Sequence, residues 1–95
     1  MIGKRCIIRT YSAGVFFGVL DGREGREALI SNARRLWYWD GAASLSEMAV
    51  YGVKRPENCK FSVPVPSTLV TEVIEIIPCT PEACTNIDAV PEWRA

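Results

Sequence analysis

Residues 34–39, with the sequence RRLWYW, place two cationic and three aromatic side chains within six positions. A guanidinium group can bind a phosphate through two parallel hydrogen bonds, and an indole or phenol ring offers a surface on which a base can stack. The segment is therefore a candidate site for a planar, anionic ligand such as a nucleotide. The alternative is an ordinary strand that buries one face in the core.

In a strand, adjacent side chains of this segment point to opposite faces. The odd-numbered side chains, Arg35, Trp37 and Trp39, then share one face, and the even-numbered ones share the other. Because two indoles are too large to leave in water, we expect the odd-numbered face to be the more buried one, with Arg35 paired to a carboxylate at an interface. Arg34 and Tyr38 are then expected at the ligand, and the opposite assignment stays open.

A second candidate site lies in RTYSAGVFFG, where Arg9 and Tyr11 share one face of a predicted strand. The turn that follows could present consecutive backbone amides to an anion. It lacks the GxxxxGK[ST] pattern of a phosphate-binding loop, and a plain hairpin turn is the alternative. Together the two segments predict these ligand-binding residues: Arg9, Tyr11, Ser12, Ala13, Gly14, Arg34, Arg35, Trp37, Tyr38 and Trp39.

Residues for catalysis are scarce in this sequence. It contains no histidine, which excludes Ser-His-Asp and Cys-His catalysis and most transition-metal sites. Its four cysteines include no C-x-x-C pair, so we expect reduced thiols with no bound metal or other cofactor. Glu72 and Glu75 are three apart, so on one strand they cannot form a catalytic dyad, and pairing with an arginine is the better expectation. We therefore expect a protein that is not an enzyme.

The composition predicts one domain spanning residues 1–95. Eleven basic and eleven acidic residues give a net charge of zero, which makes nucleic-acid binding unfavoured. The apolar runs are too short for a membrane span and no leader precedes the first strand, so we expect a protein of the cytoplasm.

Period-2 alternation predicts a β-hairpin over residues 3–20, followed by two short strands, REALIS and RRLWYW, that are joined near Asn32. A capping box of Ser44 and Glu47 predicts a short helix, and CKFSV predicts a short strand. A second helix is expected from Thr80 and Pro81 to Pro91. The predicted fold class is α+β, a small, strongly bent antiparallel sheet or partial barrel of about five to six strands with two short helices.

The segment STLVTEVIEII is predicted to be one long strand that is apolar on both faces. Since a small antiparallel sheet normally has one wet face, such a strand must be covered twice. It is expected either at the centre of a closed barrel or against another subunit. The pattern therefore predicts a homo-oligomer.

Four blocks, which together cover most of the chain, carry a resemblance to a small uncharacterised family encoded by phages and prophages: RTYSAGVFFG, ARRLWYWDGAASLSEMA, VKRPENCKFS and LVTEVIEIIPCT. More loosely, the chain resembles the sponge proteins of the Thoeris anti-defence and anti-CBASS types. That resemblance implies a compact β-rich oligomer in the cytoplasm of the infected bacterial host. It would bind a cyclic ADP-ribose variant or a cyclic oligonucleotide without cleaving it.

The leading hypothesis is therefore an anti-defence sponge for a nucleotide-derived immune signal. Two alternatives stay open. One is a small β-barrel interaction module that binds protein or nucleic acid, and the other is an accessory protein of the virion.

Overall fold

A computed structural model describes all 95 residues and contains six strands and two α-helices. This confirms the predicted α+β class. A single 3-10 turn, Pro56–Asn58, precedes the fourth strand. The elements are β1 (Arg5–Thr10), β2 (Val15–Glu24), β3 (Glu27–Tyr38), α1 (Leu45–Tyr51), β4 (Lys60–Phe61), β5 (Val65–Val70), β6 (Val73–Pro78) and α2 (Pro81–Asp88).

The six strands form one open antiparallel sheet in the order β4-β3-β2-β1-β6, and β5 pairs with β3 along the same edge as β4. In a flat sheet, the four strand spacings from β5 to β6 would separate these strands by about 19 Å. Yet the three Cα steps from Val70 to Val73 can span at most about 11 Å. The sheet is therefore strongly bent, as the sequence predicted.

The two edge strands show which face is concave. Val70 of β5 and Val73 and Ile76 of β6 all pack into one apolar cluster, the inner core. The opposite face is covered by the two helices and forms the outer core. The inner core contains Cys6, Ile8, Phe16, Leu20, Ala28, Ile30, Ala33 and Val70; the outer core contains Ile7, Phe17, Leu36, Met48, Ala49, Val53, Cys59, Phe61, Ile87 and Val90.

Strand β3 is one strand, not the two that the sequence predicted. It is interrupted by a bulge at Asn32, whose φ of 49° is in the left-handed region that asparagine tolerates better than most residues. Because the bulge adds one residue, it exchanges the faces of the side chains that follow. Ile30 points to the inner core, whereas Arg34 and Leu36 point to the outer core.

The prediction of one long strand over residues 67–77 is wrong. Thr71 and Glu72 divide it into β5 and β6, which lie at opposite edges of the sheet. The apolar residues assigned to both faces of one strand are thus divided between two different strands. Leu69 and Ile74 remain exposed, by 58% and 51%.

Both helices begin where the sequence predicted. Ser44 Oγ accepts a hydrogen bond from the Glu47 amide at 3.1 Å, while the Glu47 carboxylate accepts one from Ala43 rather than from Ser44. Thr80 Oγ1 accepts from the Ala83 amide at 3.1 Å and donates to the Val50 carbonyl at 2.6 Å. Thr80 therefore caps α2 and also ties it to α1. Neither helix has the length and apolarity needed to cross a membrane.

Candidate functional site

Arg34 is a buried structural residue, with only 4% of its surface exposed. Its Nε donates to the Ser62 carbonyl at 2.8 Å and its Nη1 to the Ile87 carbonyl at 2.9 Å. Its Nη2 donates to the Val90 carbonyl at 3.0 Å, with longer contacts at 3.4 Å to two further carbonyls. Burial lowers the pKa of the guanidinium. The backbone therefore occupies all three nitrogens.

The expected burial of the two faces of residues 34–39 is reversed at Arg34 and Trp37, which favours the opposite assignment that the sequence left open. Arg34 was placed at the ligand, but the Asn32 bulge turns it toward the outer core, where it holds the C-terminal end of α2. The face of Trp37 was expected to be the more buried one, yet that indole is 59% exposed. Tyr38 is also exposed, in register with Lys60 of β4.

Arg35 lies on the opposite side of β3, at the end of the inner core. Its guanidinium carbon lies 4.7 Å from the centre of the Phe16 ring and 5.5 Å from that of Trp37. Unlike Arg34, it makes no side-chain hydrogen bond and no ion pair, and its Nε is buried without any partner. No carboxylate of the same chain pairs with Arg35, and the carboxylate expected at an interface between subunits stays a prediction.

A groove of about 170 Å³ opens beside this guanidinium. We call it the Arg35 groove; it is lined by Phe16, Ala33, Arg35, Trp37, Ser62, Val63, Val65 and Thr68. The lining combines an apolar floor, an exposed indole, one cation and the hydroxyl groups of Ser62 and Thr68. It includes no carboxylate, thiol or amine, so the groove offers no general acid or base.

The turn at residues 11–14 is organised differently from the expected anion cradle. The Ala13 amide donates to Thr10 Oγ1 at 3.1 Å, so the turn itself uses this N–H. Ser12 Oγ donates to a Glu72 carboxylate oxygen at 3.0 Å. Gly14, at a φ of 97°, accepts from the Thr10 amide and hydroxyl. A carboxylate beside the turn disfavours a phosphate there.

Two further predicted residues lie apart from the Arg35 groove. Arg9 pairs with Glu75 across the β1–β6 ladder at 3.1 Å, which confirms the expected pairing of this glutamate with an arginine. Trp39 is half-buried against the outer core. The structure therefore brings Arg35 and Trp37 together and separates them from the other predicted residues.

The groove also contains residues that sequence reasoning missed. Phe16 is in register with Arg35 on β2, a pairing that no local pattern reveals. Val65 and Thr68 come from β5, which pairs with β3 through a long-range contact. The only sequence signal for Phe16 is its place in the alternation of VFFGVL.

The curled sheet and the two capped helices define a small α+β domain, and its Arg35 groove combines a guanidinium with two aromatic rings. The chain belongs to an uncharacterised family, the domain of unknown function DUF6948, whose model matches residues 3–87. Comparisons with curated proteins and with solved structures gave no match.

Proposed function

We propose that this protein binds a nucleotide-derived small molecule in the Arg35 groove and does not transform it. The proposal depends on one observation: the Arg35 guanidinium contacts the rings of Phe16 and Trp37 and has no hydrogen-bond acceptor in the chain. Its Nε is buried, so a ligand would bind the two Nη nitrogens, which are neither buried nor hydrogen-bonded within the chain. An anion there would also offset the cost of burying part of a cation.

The neighbours of Arg35 favour a ligand that carries both a phosphate and a planar ring. A phosphate can accept the two parallel bonds that a guanidinium donates, and the exposed face of Trp37 can stack a base. The volume of about 170 Å³ accommodates one such group, so the rest of the molecule would lie across Trp37 and the rim at Val63. Binding without catalysis agrees with a lining that has no acid–base residue.

We further propose that the biological ligand is a cyclic ADP-ribose variant or a cyclic oligonucleotide. In this hypothesis the protein is a phage-encoded sponge that sequesters a bacterial immune signal in the infected host. This step rests on the resemblance of the sequence, and the groove chemistry is compatible with it. Nucleic acid is a less favoured ligand, because the net charge is zero.

A panel of nucleotides in a thermal-shift assay tests the proposal. Cyclic ADP-ribose, cyclic dinucleotides and AMP are compared with adenosine, which lacks the phosphate, and with inorganic phosphate, which lacks the ring. A ligand at about 100 times its Kd should stabilise the protein by about 2.7 kcal/mol, a rise in Tm of roughly 10–20 °C. Mass spectrometry should then recover the ligand intact. No shift with any nucleotide would contradict the proposal, and a processed product would contradict sequestration.

A second candidate function is an interaction module that assembles with itself. Leu29 and Leu69 are cross-strand partners on β3 and β5, and both are exposed, by 41% and 58%. We propose a homo-oligomer that covers this pair, in place of the doubly covered strand that the sequence suggested. Light scattering should give a multiple of 10.6 kDa, and Leu69→Glu should return the monomer. A wild-type monomer at micromolar concentration would contradict it.

A further inference from the structure

The largest pocket of the molecule, of about 550 Å³, lies away from the Arg35 groove and shares no residue with it. Three connecting segments meet there: the β1–β2 turn, the tip of the β2–β3 hairpin and the link between β5 and β6. Its lining residues are Tyr11, Arg26, Glu72, Val73 and Ile74. The volume is within the usual range for small-molecule sites.

Backbone hydrogen bonds fix the walls of this pocket. The Tyr11 amide donates to the Glu72 carbonyl at 2.9 Å, and the Val73 amide donates to the Arg26 carbonyl at 2.9 Å. Each of the three segments is thus bonded to another. The Ser12 hydroxyl also holds one oxygen of the Glu72 carboxylate at 3.0 Å. A pocket that exists before binding saves the entropy of ordering it.

The pocket offers two opposite charges over an apolar surface. Arg26 and Glu72 line the same cavity but form no ion pair with each other or with any other charged residue. The second oxygen of Glu72 and the whole Arg26 guanidinium are therefore available to a ligand. Tyr11 and Ile74 are 79% and 51% exposed and provide the apolar contact.

We propose that this pocket binds a zwitterionic apolar molecule of the α-amino acid class. The ligand carboxylate would pair with Arg26, the ammonium with Glu72, and the apolar side chain would pack on Tyr11 and Ile74. A simple anion is disfavoured by Glu72 and a simple cation by Arg26, whereas a zwitterion satisfies both charges. The pocket is separate from the Arg35 groove, so a negative result at one site does not test the proposal for the other.

Three related probes test the proposal: L-phenylalanine, N-acetyl-L-phenylalanine, which lacks the ammonium, and L-phenylalaninamide, which lacks the carboxylate. Binding is followed through the amide NMR signals of Val73 and Ile74. We expect L-phenylalanine to bind best and each blocked probe to bind about tenfold more weakly, the lower limit for losing a charge-assisted hydrogen bond. Equal binding of all three probes, or unchanged amide signals at saturating concentration, would overturn the proposal.

Variants assign each charge to its ligand group. Glu72→Gln keeps an acceptor for Ser12 and should weaken L-phenylalanine about tenfold, without weakening the N-acetyl probe further. Arg26→Met should weaken the binding of L-phenylalanine about tenfold, without weakening L-phenylalaninamide further. Arg23→Met, an exposed arginine on the same hairpin outside the pocket, should leave binding unchanged. Equal losses in the Arg23 and Arg26 variants would show a general charge effect and overturn the assignment.

Discussion

Replacing Arg34 by methionine keeps most of the aliphatic volume of a buried side chain and removes its guanidinium. In the folded protein this group donates three hydrogen bonds of 3.0 Å or less, to the carbonyls of Ser62, Ile87 and Val90. Those carbonyls join β3 to the segment after β4 and to the end of α2. Because α2 has no basic residue in its last turn, Arg34 also supplies the cation that favours a helix C-terminus.

The expected loss can be worked from these contacts. The Ile87 carbonyl keeps the Val90 amide as a donor at 3.1 Å, whereas the carbonyls of Ser62 and Val90 are left without one. Each such carbonyl costs at least about 1 kcal/mol, so Arg34→Met should lose at least about 2 kcal/mol of unfolding free energy. That is a large fraction of the roughly 5–15 kcal/mol available to a domain of this kind. At about 4–8 °C per kcal/mol, the Tm should fall by roughly 8–16 °C or more.

Arg35→Met is the matched control, since it makes the same change at the adjacent position. Arg35 has no hydrogen-bond partner to lose, and the loss of its stacking on Phe16, about 0.5–1 kcal/mol, is offset by removal of the unpartnered Nε donor, so Arg35→Met should lose at most about 1 kcal/mol. Urea denaturation followed by tryptophan fluorescence measures both variants. If Arg34→Met cannot be purified, Arg34→Lys should show an intermediate loss, because one ammonium cannot reach three carbonyls.

The reasoning is refuted if the two methionine variants are equally stable, or if the Arg35 variant is the weaker one. Either result would mean that the backbone carbonyls near α2 find other donors. The burial of Arg34 would then not show that it contributes more to stability than Arg35.

Three further predictions concern stability and reactivity. A Cβ at Gly18 would lie 2.6 Å from Ile30 Cγ2, so Gly18→Ala should lose about 1–3 kcal/mol in urea denaturation, whereas Gly22→Ala, in open space, should not. Hydrogen bonds from Asn58 and Arg55 lower the pKa of Asp40, so its stabilisation is present above the unfolded value of about 3.9 and lost as pH falls through the folded pKa. The stability gap between wild type and Asp40→Asn should therefore close in acid, and a constant gap would contradict it. Burial raises the pKa of Cys79 to about 12, so iodoacetamide should label it slowly until the protein is denatured; equal rates would contradict this.

The helices could be predicted because their signals are local. Ser44 and Thr80 cap helices through atoms within three residues, and Pro81 suits the first helical position. The hairpin turn before β2 was equally local, with Gly14 at a positive φ. Such features depend on the backbone geometry of residues that are close in the sequence, so a short sequence pattern is enough to predict them.

The assignment of the two arginines failed for a non-local reason. It depended on the bulk of Trp37 and Trp39, yet the Trp37 indole is 59% exposed. Arg34 is instead buried by hydrogen bonds to carbonyls that are distant in the sequence, those of Ser62, Ile87 and Val90. Likewise, no glycine or proline marks the break at Thr71 and Glu72, so the alternating pattern continued across it. The Arg35 groove could not be predicted for the same reason, because Val65 and Thr68 line it only when β5 is a separate strand paired with β3.

Isothermal titration of the nucleotide with the largest thermal shift tests the central claim most directly. We expect Arg35→Gln to weaken binding about tenfold to a hundredfold, the scale of a charge-assisted hydrogen bond, while its Tm stays near that of the wild type. Arg9→Gln, which removes a surface ion pair with Glu75 outside the groove, should bind with wild-type affinity. If Arg35→Gln binds the nucleotide as tightly as the wild type, Arg35 does not hold the ligand and the proposed nucleotide site is wrong.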